Sequence, residues 1–516
     1  MARHERIDFD PVDLQVLVGG LRAACEEMGA TLVRAAHSAN IKERRDCSTA
    51  LFDAGGEMVM QAEHIPVHLG SMPEAVGAVI KEEHRPGDTW ILNDPYRGGT
   101  HLPDITLVSP VFAERDLLGF AASRAHHADV GGPTPGGMPA SSRQLSDEGV
   151  VIPPTRVEER GLEELAARMR APRQRLADLR AQRAANLLGE RRLLELADRH
   201  GLAELRAGMD AILDYADRRT RAALAELPDG DYEATDVLEN DLDGEARDVT
   251  LRVTAGLRGD ALELDFAGTD RQVEGNLNCP LAVTKSACFY AVRVLTDPDA
   301  PPSAGAYRPV TVRAPEGSVL NASPPAAVAA GNVETSSRVA DLVIEALAAA
   351  CPAPAQGQGT MNNLTLAGAL ANGSELTYYE TIGGGQGACP DADGPSAVHV
   401  AMSNTLNTPI EALEAELPVR VREYSLRRGS GGAGRARGGN GIAREIEALA
   451  PMRFTLITER RRHAPRGRDG GSDGAPGRNL LNGKPLPSKA EGEMKPGDTL
   501  RIETPGGGGH GPARDS

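Results

Sequence analysis

Aromatic residues are scarce: Phe, Trp and Tyr make up 3% of 516 residues, and Trp90 is the single tryptophan. A core of any size must therefore be filled by Ala, Leu and Val. The six cysteines, Cys25, Cys47, Cys279, Cys288, Cys351 and Cys389, never stand as a CxxC pair. That argues against a zinc ribbon or a disulfide framework and fits a reducing, cytoplasmic setting. No uninterrupted apolar run approaches a membrane span, and "MARHERIDFDPVDL" has no apolar signal core. Positive charge is in the minority, 56 Lys plus Arg against 73 Asp plus Glu, for a net charge of −17. A field of that sign disfavours nucleic acid and anionic membranes, and we read it mainly as a source of solubility. There is no GxxxxGK[ST] loop, no GxSxG elbow and no evident nucleophilic Cys motif. ATP binding by this chain is therefore not expected, and chemistry leans on carboxylates or metal-activated water.

What is abundant is glycine and proline, 58 and 36 residues, within a chain that is 40% hydrophobic. Such a chain holds a globular core cut by many turns, in two to four domains or one large multilayered unit. Residues 11–38 space their apolar positions as a helix does, with Ser38 and Asn40 as breakers. "ALFDAGGEMVMQAEH" predicts a hairpin turning on Ala54, Gly55 and Gly56, and "TWILNDP", "DITLVSPVF" and "LLGFAASRAHH" predict three further strands. Residues 157–227 are helical, interrupted near Pro172 and Gly201, and their interleaved Arg, Glu and Asp read as a solvated helix face. Strands return over 230–320, a short helix over 339–352 follows, and "NNLTLAGAL", "LTYYETIGGGQGA" and "EIEALAPMRFTLITER" precede a Gly-laden tail. The expected class is mixed α+β: β-rich N- and C-terminal parts, residues 1–155 and 229–516, around a helical insertion, 156–228.

The residues best suited to chemistry lie in "NDPYRGGTHLPDITLV" and "RAHHADVGG". His101, His126 and Asp129 offer imidazole nitrogens and a carboxylate, a donor set suited to Zn, Mn or Fe that leaves coordination positions open for water. Asp46, in "KERRDCSTALFD", is a candidate fourth ligand. A turn entering "DVGG" is needed to bring Asp129 beside His126, and adjacent strand residues diverge, so one of His126 and His127 is a bystander. The residues alone leave a second reading open, in which Asp46 and Asp129 cap turns and the histidines are hydrogen-bonded core residues. His64 and His68 stand four apart, but Pro66 between them argues against a helical ligand pair and for structural or substrate-contacting roles. "GNVETSSRVADLV" reads as a loop entering a helix, either an anion site or a plain cap by Thr335 or Ser336.

Several long segments, in order, resemble the hydantoinase B/oxoprolinase family: "NIKERRDCSTALFDAGGEMVMQAEHIPVHLGSMPEAV", "LNDPYRGGTHLPDITLVSPVF", "SRAHHADVGG", "DLRAQRAANLLGERRLLEL", "GNVETSSRVADLV", "GSGGAGRARGGNG" and "TPGGGGHG". The resemblance runs from about residue 8 to the C-terminus. It implies a two-component enzyme in which a hydantoinase A-type ATPase partner phosphorylates an amide or enolate oxygen, and the B-type chain completes the reaction at a Zn or Mn centre. By motif, His101, His126 and Asp129 correspond to the ligands, with Asp46 as a further one. Hydrolysis of a cyclic amide (a hydantoin, 5-oxoproline or a lactam) is the activity expected. Asp104 or Asp94 is expected to orient the water or the ligands, and His127 completes the catalytic candidates. The α subunit of an ATP-dependent ketone carboxylase, expected to be longer than this chain, and a non-catalytic scaffold subunit are the alternative expectations.

Overall fold

The computed structural model describes residues 9–241, 246–369 and 375–513. The chain opens with helix α1 (Pro11–Ala35), where the Asp10 carboxylate accepts a hydrogen bond from the Val12 amide and Pro11 stands in the first turn. Both are helix-start signals. A single turn, α2 (Ala39–Lys42), leads into the first sheet. Its strands are β1 (Cys47–Asp53), β2 (Met58–Glu63), β3 (Trp90–Leu92), β4 (Asp104–Ala113), β5 (Asp116–His126) and β6 (Thr155–Arg156). They lie in the order β2-β1-β5-β4-β3-β6, with helix α3 (Ser71–Gly77) between β2 and β3 in sequence. The predicted hairpin is β1–β2, and Gly56 there has φ 80°.

The helical segment divides into α4 (Glu159–Ala166), α5 (Pro172–His200) and α6 (Leu202–Ala225). The breaks fall at Ala171–Pro172 and at Gly201, where φ is 52° at Ala171 and 90° at Gly201. Leu193 and Leu196 of α5 and Met209 of α6 share one apolar core with Leu21 and Met28 of α1 and with Leu51 and Ala121 of the first sheet. The insertion thus buries its apolar face against the N-terminal sheet, as an amphipathic helix must.

A second sheet orders β10 (Val310–Arg313), β9 (Ala261–Asp265), β8 (Arg247–Arg258) and β7 (Gly230–Asn240), with β9 and β10 parallel. Against it pack α7 (Leu281–Leu295) and α8 (Ser336–Leu347). The patterning over 230–320 predicted strands alone, so α7 is an addition; its residues are mostly buried, and it lacks the polar stripe that marks a surface helix. A π-helical turn, Gly331–Thr335, precedes α8 directly.

Two antiparallel sheets complete the fold. One orders β12 (Glu375–Glu380), β11 (Asn363–Ala369), β15 (Met452–Ile457) and β18 (Lys489–Met494). The other orders β13 (Val419–Arg427), β14 (Gly441–Ala448), β19 (Thr499–Glu503), β16 (Arg478–Leu481) and β17 (Lys484–Leu486), and α9 (Ile410–Glu416) packs at their shared core.

The glycine-rich stretches near residues 385, 431–439, 467–474 and 506–509 are not phosphate loops. They run side by side, backbone against backbone: Gly432 N–H donates to Gly507 O at 2.8 Å, Gly507 N–H to Gly439 O at 2.9 Å, and Gly439 N–H to Gln386 O at 2.9 Å. A β-carbon built on Gly431, Gly438 or Gly439 would sit 1.9 Å from a carbonyl oxygen of the neighbouring segment. Only glycine permits that approach.

Candidate metal centre

Strand register creates the site. Asp104, the first residue of β4, lies directly opposite His126, the last residue of β5. A tight turn before β4, in which the Asp104 amide donates to His101 O at 3.1 Å, swings His101 onto the same end of the sheet. The result is three converging atoms. His101 Nε2 and His126 Nδ1 stand 3.2 Å apart, and Asp104 Oδ1 lies 3.1 Å from each. All three residues are buried.

This geometry suits a cation. A tetrahedral ion with ligand bonds of about 2.0 Å holds neighbouring donors about 3.3 Å apart. His101 Nδ1 faces Ala329 O at 3.4 Å, an acceptor for the ring proton that would leave the Nε2 lone pair pointing inward when an ion is held. Burial works to lower the His101 imidazole, but the adjacent Asp104 charge outweighs it and raises the group. Burial works to raise Asp104, yet its histidine neighbours hold it well below the ordinary carboxylate range. Buried polar atoms at the site lack partners among the described residues: His126 Nε2 and Asn332 Oδ1.

The remaining oxygen of Asp104 is clamped. Oδ2 accepts from Thr100 Oγ1 at 2.8 Å and from Asn332 Nδ2 at 3.3 Å, and His68 Nε2 lies 3.4 Å away. His68 is itself fixed by Ser48 Oγ, 2.8 Å from Nδ1. Behind His101, the carboxylate of Glu148 accepts the amides of Val328 and Ala329 at 3.0 and 2.9 Å, so the carbonyl that meets His101 is held in place. Burial pushes Glu148 up to about 7.

The other sequence candidates lie as follows. Asp46 lines the same cavity as Asp104 and His126, and its carbonyl accepts the His126 amide at 3.0 Å. Asp129 does not join the three: its carboxylate accepts the Gly131 and Gly136 amides at 2.9 and 2.6 Å and Arg170 Nε at 2.9 Å. The turn into "DVGG" carries it away from His126 instead of back. His127 points to the opposite face, its Nε2 2.9 Å from Gln182 Oε1 on α5, and burial lowers it to about 4. Asp94 caps a turn, accepting the Tyr96 amide at 3.0 Å. His64 is not among the three: its imidazole lies against Gly29 of α1 and is lowered by burial, and its carbonyl accepts from Asn404 Nδ2 at 2.8 Å. Sequence reasoning did not single out Asn332 or Tyr379, which come from segments more than 200 residues downstream.

Two of the three donors, Asp104 and His126, open onto a cavity of about 20 Å³. One wall is apolar, from Ile65, Val67, Val333 and Met361; the other carries the hydroxyls of Thr381, Ser403 and Thr405. Arg44, fully buried, donates to Tyr379 O at 2.6 Å and to Thr381 Oγ1 at 2.8 Å, and so anchors the hydroxyl wall. Asn404, beside that wall, reaches across to His64 O near the apolar one.

Comparison with known proteins agrees with this architecture. The family model described as hydantoinase B/oxoprolinase matches residues 10–513. The chain is 39% identical to 5-oxoprolinase 1 of Arabidopsis thaliana over 97% of its own length but 42% of the plant enzyme's. It is 31% identical to a putative B-type subunit of a D-/L-hydantoinase from Pseudomonas sp. strain NS671, covering 98% of this chain and 90% of that one. The ATP-dependent caprolactamase of Pseudomonas jessenii superposes with a TM-score of 0.91 at 30% identity, over 98% of this chain and 92% of that chain. A nucleotide-free acetone carboxylase shares the fold, with a TM-score of 0.87 at 19% identity over 97% of this chain and 76% of its own. Among the described residues, no helix is long and apolar enough to cross a membrane.

Proposed function

The chain belongs to the hydantoinase B/oxoprolinase family, and from that premise we propose that it is the B-type subunit of a two-component, ATP-dependent cyclic amide hydrolase. An A-type ATPase subunit is its proposed partner, since phosphorylation of the amide oxygen is needed to make an unreactive ring carbon attackable and the chain has no phosphate-binding loop of its own. The observation that carries the reading is the convergence of His101 Nε2, Asp104 Oδ1 and His126 Nδ1 within 3.2 Å in a buried pocket.

These residues would hold a divalent ion, zinc or manganese, with Asp46 as a further oxygen ligand from the same cavity wall. Such an ion supplies Lewis acidity and a hydroxide source near neutral pH. The chain's own residues do the rest. Asp104 is held by the Thr100 hydroxyl so that a single oxygen faces the centre. The apolar wall keeps bulk water from the ring. The hydroxyls of Thr381 and Thr405, which hydrogen-bond each other and accept from Arg44, leave one O–H of the pair to donate to an acceptor atom on the substrate. Asp129, engaged by Arg170 and two amides, we assign to holding its own loop instead.

The test is ADP release and ring opening by the chain together with an A-type partner, over a panel of hydantoins, 5-oxoproline and lactams. Wild type should require both partner and ion, and His101→Ala should lose the ion and the ring opening together. Full ring opening by rigorously metal-free protein would overturn the reading. The acetone carboxylase likeness keeps ketone carboxylation as the second arm, read out as ATP-dependent bicarbonate fixation.

A further inference from the structure

The amide of Asn332 takes part in the same convergence, and nothing in the strand register accounts for it. Its Nδ2 position lies 3.1 Å from His101 Nε2 and 3.3 Å from Asp104 Oδ2, while Oδ1 has no partner among the described residues. The residue is 3% exposed and lines the cavity. Its placement is built, not incidental. The π-helical turn Gly331–Thr335 shifts the backbone out of α-helical register here, a distortion that gathers at functional sites. Gly331 lets that turn press on the 278 segment: a β-carbon there would sit 1.9 Å from Asn278 O.

The lone-pair count gives the amide its role. With the ring proton on Nδ1, His101 Nε2 has one lone pair, directed at the centre it shares with His126 Nδ1 and Asp104 Oδ1. An N–H from Asn332 and a cation would compete for that same lone pair. A half-turn of the amide exchanges Nδ2 for Oδ1 at nearly unchanged shape. It gives up the 3.3 Å hydrogen bond to Asp104 Oδ2, which Thr100 would then hold without it, and the cation would offset the repulsion between the two facing oxygens. The half-turn puts an amide oxygen about 3 Å from the histidine nitrogen, the spacing expected of neighbouring donors around one ion. Side-chain amide oxygens ligate the harder divalent ions well.

We propose that Asn332 is a further ligand of the cation centre, acting through its amide oxygen. This rests on the cation reading above. A cation held by His101, Asp104, His126 and Asn332 draws on both the first sheet and the segment leading into α8, so it ties the N-terminal part of the fold to the second sheet's helices.

The experiment is chelator competition for Zn(II) and Mn(II) on the full chain, comparing wild type with Asn332→Asp and Asn332→Leu. Asn332→Leu should lower affinity by about 10- to 100-fold. Asn332→Asp, which keeps an oxygen in that place and adds charge, should bind as tightly as wild type or more so. Equal weakening of both variants would show the N–H to be the working end and overturn the proposal while leaving the three-residue centre intact. Stoichiometric ion loss from wild type itself would overturn the centre and the proposal together. Should Asn332→Leu fail to fold, the near-isosteric Asn332→Asp decides alone: weakened binding overturns the ligand role, and retained or tightened binding upholds it.

Discussion

The imidazole of His126 lies almost flat on the phenol ring of Tyr379, with centroids 4.6 Å apart and planes 16° from parallel. The phenol is fixed at its far end, where Oη donates to Asn363 Oδ1 at 2.6 Å, and Arg44 stands over the ring, 5.1 Å from its centroid. A stacked ring limits the tilt of a ligand histidine as a hydrogen bond would. Tyr379→Leu is expected to weaken Zn(II) or Mn(II) binding about tenfold, and Tyr379→Phe to keep it within about twofold. Chelator competition measures both, and unchanged affinity in the leucine variant would refute the role of the stack.

Asp104 and Asp129 make a contrasting pair. Asp104→Asn should abolish ion retention, because it removes the charge shared by His101 and His126. Asp129→Asn should keep the ion but cost about 2–4 kcal/mol of stability, because Arg170 and two backbone amides lose a buried anion. Metal analysis and denaturant unfolding of the two variants separate the roles. An Asp129→Asn protein that folds normally yet loses its ion would return Asp129 to the ligand set.

Stability should fall as pH rises through the neutral range. Glu334 is fully buried, and burial pushes it up to about 8, against ~4.3 in an unfolded chain. The folded protein therefore holds this proton to higher pH than the unfolded one. The stabilisation is fully present below pH ~4 and is lost progressively until about pH 8. Glu334→Gln keeps an acceptor for Met361 N and Asn363 Nδ2 and has no charge to bury. Its melting temperature should gain on wild type steadily from pH 5 to pH 8, by several degrees in all. A pH-independent gap would count against a shifted Glu334.

Glycines should fall into two classes. Gly439→Ala forces a β-carbon to within 1.9 Å of Pro395 O, with backbone on both sides, and should cost about 3 kcal/mol or more. Gly77, the last residue of α3, has nothing within 4 Å of a built β-carbon, and Gly77→Ala should be neutral or stabilising by up to about 1 kcal/mol. Thermal unfolding of the pair checks this, and a mild Gly439→Ala would mean that the packed segments can spread.

Much of the N-terminal half is legible in the sequence because short-range chemistry decides it. The Asp10–Pro11 start, the Ala54-Gly55-Gly56 turn and the breaks at Pro172 and Gly201 all act within a few residues. The pairing of His101 with His126 follows from strands that carry polar groups to one edge. Which carboxylate faces them does not, because the 104/126 register depends on how β4 and β5 pair, and Asp129 follows a turn whose direction spacing leaves open. Asn332 and Tyr379 arrive from distant segments, and no local pattern links them to His101. The glycine segments were equally illegible: their contacts are between main chains, which side-chain periodicity cannot report.

The cavity beside the three donors, about 20 Å³, is room for one solvent molecule. A lactam or hydantoin ring cannot pass while both walls stand. The part of the apolar wall formed by Ile65 and Val67 is tied to the hydroxyl wall at the surface by Asn404, which donates to His64 O from 340 residues downstream. On the function proposed above, a ring substrate would enter this cavity only after its lining parts, and the frequency of that opening would then cap kcat whatever the speed of the bond-breaking step.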